Sequence, residues 1–295
     1  MLEDTRTDVV VALEKSWPVV QELGAGEWSL ASSRRMSRKT QKGHASLSDE
    51  WLRLDATVET ATDSEQIWNL LASSAARDGL CKLALSEANA AGETKVCLIA
   101  DIALGGGDLS GLAMAISNEF RETLTRLQSG EINKAVPTEP LGVVLETPRI
   151  LQICEQTGWV CRERADGKVE VKTVGEGSTL RVELESNDRV TLRASSPLAC
   201  LKEWSAESRQ ALGVFVLRVN AAVRFARVSV EESNGTGPVR IEVGFGYVPS
   251  STELDLAVSA LTVASGISQR EVAALADPEL ARKYLVLTRS LINNP

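Results

Sequence analysis

The chain contains a single histidine, His44, so any Ser–His or Cys–His nucleophilic chemistry has to run through it. It ends the stretch RRMSRKTQKGH (residues 34–44), which is polar and basic and offers it no adjacent acidic partner. That context predicts a loop histidine without a catalytic role. The five cysteines, Cys81, Cys97, Cys154, Cys161 and Cys200, form no CxxC pair, and their number is odd. With one histidine they make no metal-ligand spacing, so no metal and no cofactor is expected. Neighbours such as KVCLIA and LQICEQ are apolar, which predicts buried, reduced thiols in a cytoplasmic protein.

ALGGGDLSGLAMAI (103–116) reads as a strand, a glycine-rich turn and a helix start, a place where phosphate binds free backbone N–H groups. It lacks the GK[ST] ending and the dinucleotide glycine spacing, and YVPSSTELDLAVSA (247–260) makes the same connection without glycines. A plain turn is the expectation. Carboxylates are plentiful, but VEVKTV and LRVELES alternate charged with apolar residues, as a sheet with one wet face does. Six of the twelve aromatic residues are tryptophans. Trp28, Trp51 and Trp159 lie in or beside strand candidates. They belong either to the core or to an exposed face that takes up an apolar partner segment.

The elements that would position these residues occur twice. LSEANAAGETKVCL (85–98) and VEESNGTGPVRIEV (230–243) share an apolar alternation, a turn with Asn and Gly, and a second alternation. At a constant shift of 145, Leu70 and Leu71 meet Phe215 and Val216, Asn89 meets Asn234, and Leu109, Ala113 and Ile116 meet Leu254, Val258 and Leu261. EQIWNLLASSAA puts Ile67, Leu70, Leu71, Ser74 and Ala75 on one helical face, and its echo does the same with Leu212, Phe215 and Val216. Ser250 three residues before Glu253 has the spacing of a capping box. DVVVALEKSWPVVQEL and PRILQICEQTGW read as opening helices. After the second come strands WVCRER, GKVEVKTV and TLRVELES, with DRVTLRAS a fourth or an extension. In the first copy the basic stretch reads as a long hairpin loop between EWSLASSRRMS and EWLRLDATVE.

The expected fold is therefore α+β, in two tandem homologous units. Each runs helix, three antiparallel strands, helix, two strands, helix. Residues 1–130 form the first, 131–146 a proline-bearing linker, and 147–295 the second with a C-terminal helical extension beyond residue 266. This order of elements resembles the type III secretion chaperone-like fold. The resemblance implies an internal pseudo-dimer with Ile67, Leu70, Leu71, Leu212, Phe215 and Val216 near the contact. It also implies a monomer that holds an extended or unfolded protein segment. The linker, the basic loop and the extension depart from that family's pattern.

Forty acidic against 32 basic residues give a net charge of −8, which disfavours a nucleic-acid or anionic-lipid binder. No apolar run is long enough to span a bilayer, and the acidic opening MLEDTRTDVVVALEKSW has no signal-peptide pattern. The leading expectation is a non-enzymatic protein- or peptide-binding module. The alternatives are a carboxylate hydrolase with its site between the halves, and a structural or assembly protein.

Overall fold

The computed structural model describes residues 2–33, 41–48, 51–58, 63–73, 80–86, 95–104, 109–130, 144–175, 178–186, 191–231 and 237–292. The turns at Asn89 and Asn234, the glycines at 105–107, residues 34–40 of the basic stretch, Ser74, Ala75 and most of the linker (131–143) lie outside the described residues.

The fold is α+β. Helix α1 (Leu2–Ser16) is followed by strands β1 (Val19–Gly24), β2 (Glu27–Ala31), β3 (Lys42–Leu47) and β4 (Trp51–Thr57), helix α2 (Ser64–Leu71), strands β5 (Lys82–Leu85) and β6 (Val96–Ala103), and helix α3 (Leu109–Ser129). The same string then recurs. It runs α4 (Thr147–Thr157), β7 (Cys161–Glu163), β8 (Val169–Gly175), β9 (Ser178–Glu185), β10 (Leu192–Cys200), α5 (Ala206–Ala222), β11 (Arg227–Val230), β12 (Pro238–Phe245) and α6 (Ser251–Leu275). Helix α7 (Pro278–Ile292) ends the chain. The first six strands form one antiparallel sheet in the order β1-β2-β3-β4-β6-β5. The last six form another, β7-β8-β9-β10-β12-β11, which is the same order.

Two expectations are corrected. The first half has four strands before its middle helix, not three, while in the second half the fourth strand is β10, which begins within DRVTLRAS. The extra one in the first half, β3, lies in the stretch read as a loop; only Ala45 of its six residues is buried, so no apolar alternation marks it. Helix α1 stops at Ser16, and Val19 onward is strand β1 rather than more helix. Pro18 has no N–H to donate, and it pushes the residue before it out of the helical region. Helix α6 runs unbroken to Leu275, and the C-terminal extension beyond it is a single helix. That helix, α7, begins at Pro278, with the Asp277 carboxylate accepting from the backbone N–H of Glu279 at 2.7 Å.

Strand patterning fixes the layers. In β4, Leu52, Leu54 and Ala56 are buried while Trp51, Arg53, Asp55 and Thr57 are half-exposed, the period of a sheet with one packed face. The packed side lies under α1 and α3, where Trp17, Trp28, Leu30, Phe120 and Leu124 form the core. Trp17 donates its indole N–H to Ser117 at 2.9 Å, which satisfies the one polar atom it buries. In the second half α6 covers β10 and β12 with Leu254, Ala257, Val258, Leu261 and Ala264. Its capping box at Ser250 and Glu253 is formed.

Candidate functional site

Strands β5 and β11, one edge of each sheet, lie at the seam between the halves. Helix α5 packs there against α2, α6, α7, β5 and β11. It is buried from Ala211 to Leu217, a helix apolar all round because it has neighbours all round. Gly213 permits the close approach. A Cβ there would meet Ile67 at 3.4 Å and the Trp68 backbone at 3.5 Å. Ile67, Leu70 and Leu71 on α2, and Leu212, Phe215 and Val216 on α5, are all buried. Gly213→Ala should be neutral or slightly stabilising, since one methyl just fits and alanine is the better helix former by about 1 kcal/mol. Gly213→Leu should cost about 1–3 kcal/mol through overpacking. Urea unfolding of both variants measures the difference.

Asn220 fastens the two edges. Its amide donates to the carbonyls of Leu83 at 2.9 Å and Val228 at 3.2 Å, and its oxygen accepts the Val228 N–H at 2.7 Å. Two charged clusters flank it. In the first, Asp101 lies 2.8 Å from Lys82 and 2.7 Å from Arg53. In the second, Glu242 lies 2.6 Å from Arg227 and 3.8 Å from Arg193. Each cluster reaches across the seam. Lys82 donates to the carbonyls of Val223 at 2.6 Å and Ala226 at 3.3 Å, and Arg227 donates to the carbonyl of Cys81. Lys82 and Arg227 are related by the shift of 145, and so are Cys81 and Ala226. Each of the two side chains therefore reaches the carbonyl of the residue that precedes the other.

Burial works to raise the Asp101 pKa, but Lys82 and Arg53 outweigh it and hold the carboxyl below its ordinary value. Burial likewise opposes ionisation of Glu242, and Arg227 and Arg193 overcome it. Desolvation presses Lys82 the other way, lowering its pKa against the pull of Asp101. Its Nζ has three acceptors, two carbonyls and a carboxylate, which matches the three N–H donors of an ammonium group. The charged pair is the state this geometry supports.

Between the clusters lies a cavity of about 30 Å³, lined by Lys82, Asp101, Phe225, Arg227, Glu242 and Tyr247 among others. That volume admits a water or two, whereas a substrate needs some hundreds of cubic ångströms. Phe225 closes one side with φ of 66°, in a turn held by the Ala226 N–H on the Arg224 carbonyl at 2.7 Å. Its ring stands 5.5 Å from Trp51 and 5.6 Å from Phe245, so an aromatic row crosses the seam. One further carboxyl sits here. Glu119 of α3 is buried and accepts the Leu80 N–H through Oε1, while Oε2 has no hydrogen-bond partner among the described residues. Desolvation pushes its pKa up to about 7.

The three tryptophans do not form one surface. Trp28 is 1% exposed and belongs to the core, so it presents nothing to a partner. Trp51 is half-buried on the opposite face of the same sheet, against Phe225. Trp159 is half-buried at the turn between α4 and β7. His44 lies in strand β3, not a loop, and its Nδ1 is 3.1 Å from Asp55. All five cysteines are free; Cys81, Cys97 and Cys154 are buried, Cys161 is half-buried and Cys200 is exposed. Among the described residues no cluster of three or more His, Cys, Asp or Glu is placed to hold a metal, and no helix is long and apolar enough to cross a membrane. No family model matches the chain, and neither a curated protein nor a solved structure does.

Proposed function

We propose that this chain is a cytoplasmic, non-enzymatic protein-binding module, two homologous units packed as an internal pseudo-dimer that holds an extended partner segment. The reciprocal seam supports the pseudo-dimer. Lys82, Asp101, Arg227 and Glu242, four buried charged residues, are all paired within it. The observation that carries the binding role is the edge of β1, which pairs only with β2 among the described residues. Each sheet has one edge, β5 or β11, at the seam, and β1 or β7 is the other. β7 is a blunted edge, three residues long with Arg162 and Glu163. β1 is six residues, VVQELG, with no proline inside the strand and Leu23 58% exposed. Beside it a surface hollow of about 510 Å³ is lined by Glu14, Trp17, Pro18, Val19 and Val20. Such an edge offers a row of backbone donors and acceptors for strand addition, with the hollow for an alternate side chain.

The test uses a reduced, carbamidomethylated globular protein as an unfolded ligand. Binding should slow hydrogen exchange at Val19–Gly24. Gln21→Pro and Leu23→Lys, which spoil the edge, should each weaken binding about tenfold or more. Unchanged exchange at β1, or undiminished binding by both variants, would sink the proposal.

A further inference from the structure

The outward face of the second sheet is basic, although the chain as a whole is acidic. Its strand register places Arg162 opposite Glu170, and Glu170 opposite Glu183. The carboxylates lie underneath and the cations above. The Glu170 side chain is 2% exposed, while its partners Arg162 and Arg181 are 67% and 56% exposed. Glu183, at 13%, is covered by Arg164, Lys168 and Arg240. With Lys172, six cations face solvent over two largely buried carboxylates; of the nearby acids, Glu185 is held by Lys168 and Asp166 by Arg164. Val160, 84% exposed, precedes the row formed by Arg162 and Arg164.

A second observation points the same way. Lys172 stands directly opposite Arg181 across β8 and β9. Like charges in that position destabilise a sheet. Lys172 is exposed and has no ion-pair partner among the described residues, so the pair leaves a gap of negative charge at the surface.

We propose that the outward face of β7–β9 takes an acidic, extended polypeptide segment, its carboxylates seated on Arg162, Lys172 and Arg181. Lys172 faces Arg181 directly on the next strand, and Arg162 faces Glu170, two residues from Lys172, so an extended segment crossing the three strands has all three cations within side-chain reach. Arginine offers several N–H donors, so a guanidinium already on Glu170 keeps others for a ligand carboxylate. A polypeptide fits better than a nucleic acid. None of the six cations has an aromatic residue beside it in the strand register to stack on a base, and the net charge of −8 repels a polyphosphate at range. The attraction is local, acting within a Debye length of about 8 Å at physiological salt. This surface lies on the other sheet from the β1 edge and stands or falls independently of it.

Fluorescence anisotropy of a labelled short peptide alternating Glu with Val, titrated with the full chain, tests the proposal. Binding is expected, weakening as salt is raised, and lost when Lys replaces Glu in the peptide. The double variant Arg162→Glu/Arg181→Glu should weaken it by about tenfold or more. Because that variant strips partners from buried Glu170, Lys172→Glu is the cleaner control. It breaks no ion pair among the described residues, gives Arg181 an opposite charge, and should still weaken the peptide several-fold. Absence of binding, or binding indifferent to Lys172→Glu, overturns the proposal. A single-stranded oligothymidine of matching length that competes as well as the peptide overturns the assignment to polypeptide.

Discussion

Asp101→Ala is expected to lower the unfolding free energy by about 3–5 kcal/mol, the usual cost of removing one partner from a buried ion pair. That is a large share of a total stability of about 5–15 kcal/mol. The side chains of Asp101 and Lys82 are 3% and 5% exposed, so bulk solvent does not reach the place of the lost carboxylate and a water or two in the adjoining cavity carries no counter-charge. Lys82 would keep two carbonyl acceptors and lose its counter-charge. Arg53, 24% exposed, turns to solvent more easily. The double variant Lys82→Met/Asp101→Ala removes both charges and keeps an apolar stem in place. It should be less destabilised than Asp101→Ala alone, since a buried pair is often replaced by apolar groups at little net cost. Urea unfolding of the wild type, both singles and the double gives the coupling energy directly. A cost under about 1 kcal/mol for Asp101→Ala would match an exposed pair, and would mean that the halves do not close over it in solution.

Much of this was legible in the chain because it is periodic or repeated. The alternation in WLRLDAT shows Leu52, Leu54 and Ala56 facing in, and the S-x-x-E spacing at Ser250 marks the start of α6. The shift of 145 pairs Lys82 with Arg227, the two residues that reach across the seam. The same period also bears on the tryptophans. Trp28 shares parity with buried Leu30, and Trp51 has the opposite parity to Leu52 and Leu54, so the alternation alone separates a core tryptophan from a facing one. Other features carry no local signal. β3 holds one buried residue, and its pairing with β2 and β4 is supplied by backbone hydrogen bonds that any sequence can make. The contact of His44 with Asp55 follows from that register and spans eleven positions. Helix α5 loses its amphipathic period because five elements surround it, which no window of its own sequence encodes. Glu119 had a signal that is easy to pass over. It lies three residues after Ile116 and one before Phe120, on the apolar stripe of α3, where an acid is out of place.

That misplaced acid governs the second large effect. A carboxyl with its pKa raised from 4.5 to about 7 binds its proton more tightly in the folded chain than in the unfolded one. Between those values the folded state holds more protons, so stability falls as pH rises and levels off above about 7. The contribution is present in full below about 4.5, and its loss amounts to about 3 kcal/mol across the window. Asp101 and Glu242 have the opposite shift, and their contributions are lost only as pH falls below the ordinary carboxylate range. The groups that face Glu119 are the Leu80 N–H and Cys81 just before β5, Arg227 from β11, and Glu122 from its own helix. Burial outweighs the backbone N–H groups of Leu80 and Cys81 and the charge of Arg227, and Oε2 has no hydrogen-bond partner of good geometry among the described residues. Glu119→Gln keeps an oxygen for the Leu80 N–H and never ionises. Urea unfolding followed from about pH 5 to about pH 8 should therefore show a falling stability in the wild type and a nearly flat one in this variant. Equal slopes in both would assign the proton to another group. A flat wild type would mean that the α3 side of the seam admits water. Hydrogen exchange at Leu80 and Cys81 provides a local readout: it should quicken on passing from acid to neutral pH beyond the intrinsic rate change, because the ionised carboxylate gains by letting this end of β5 open to solvent.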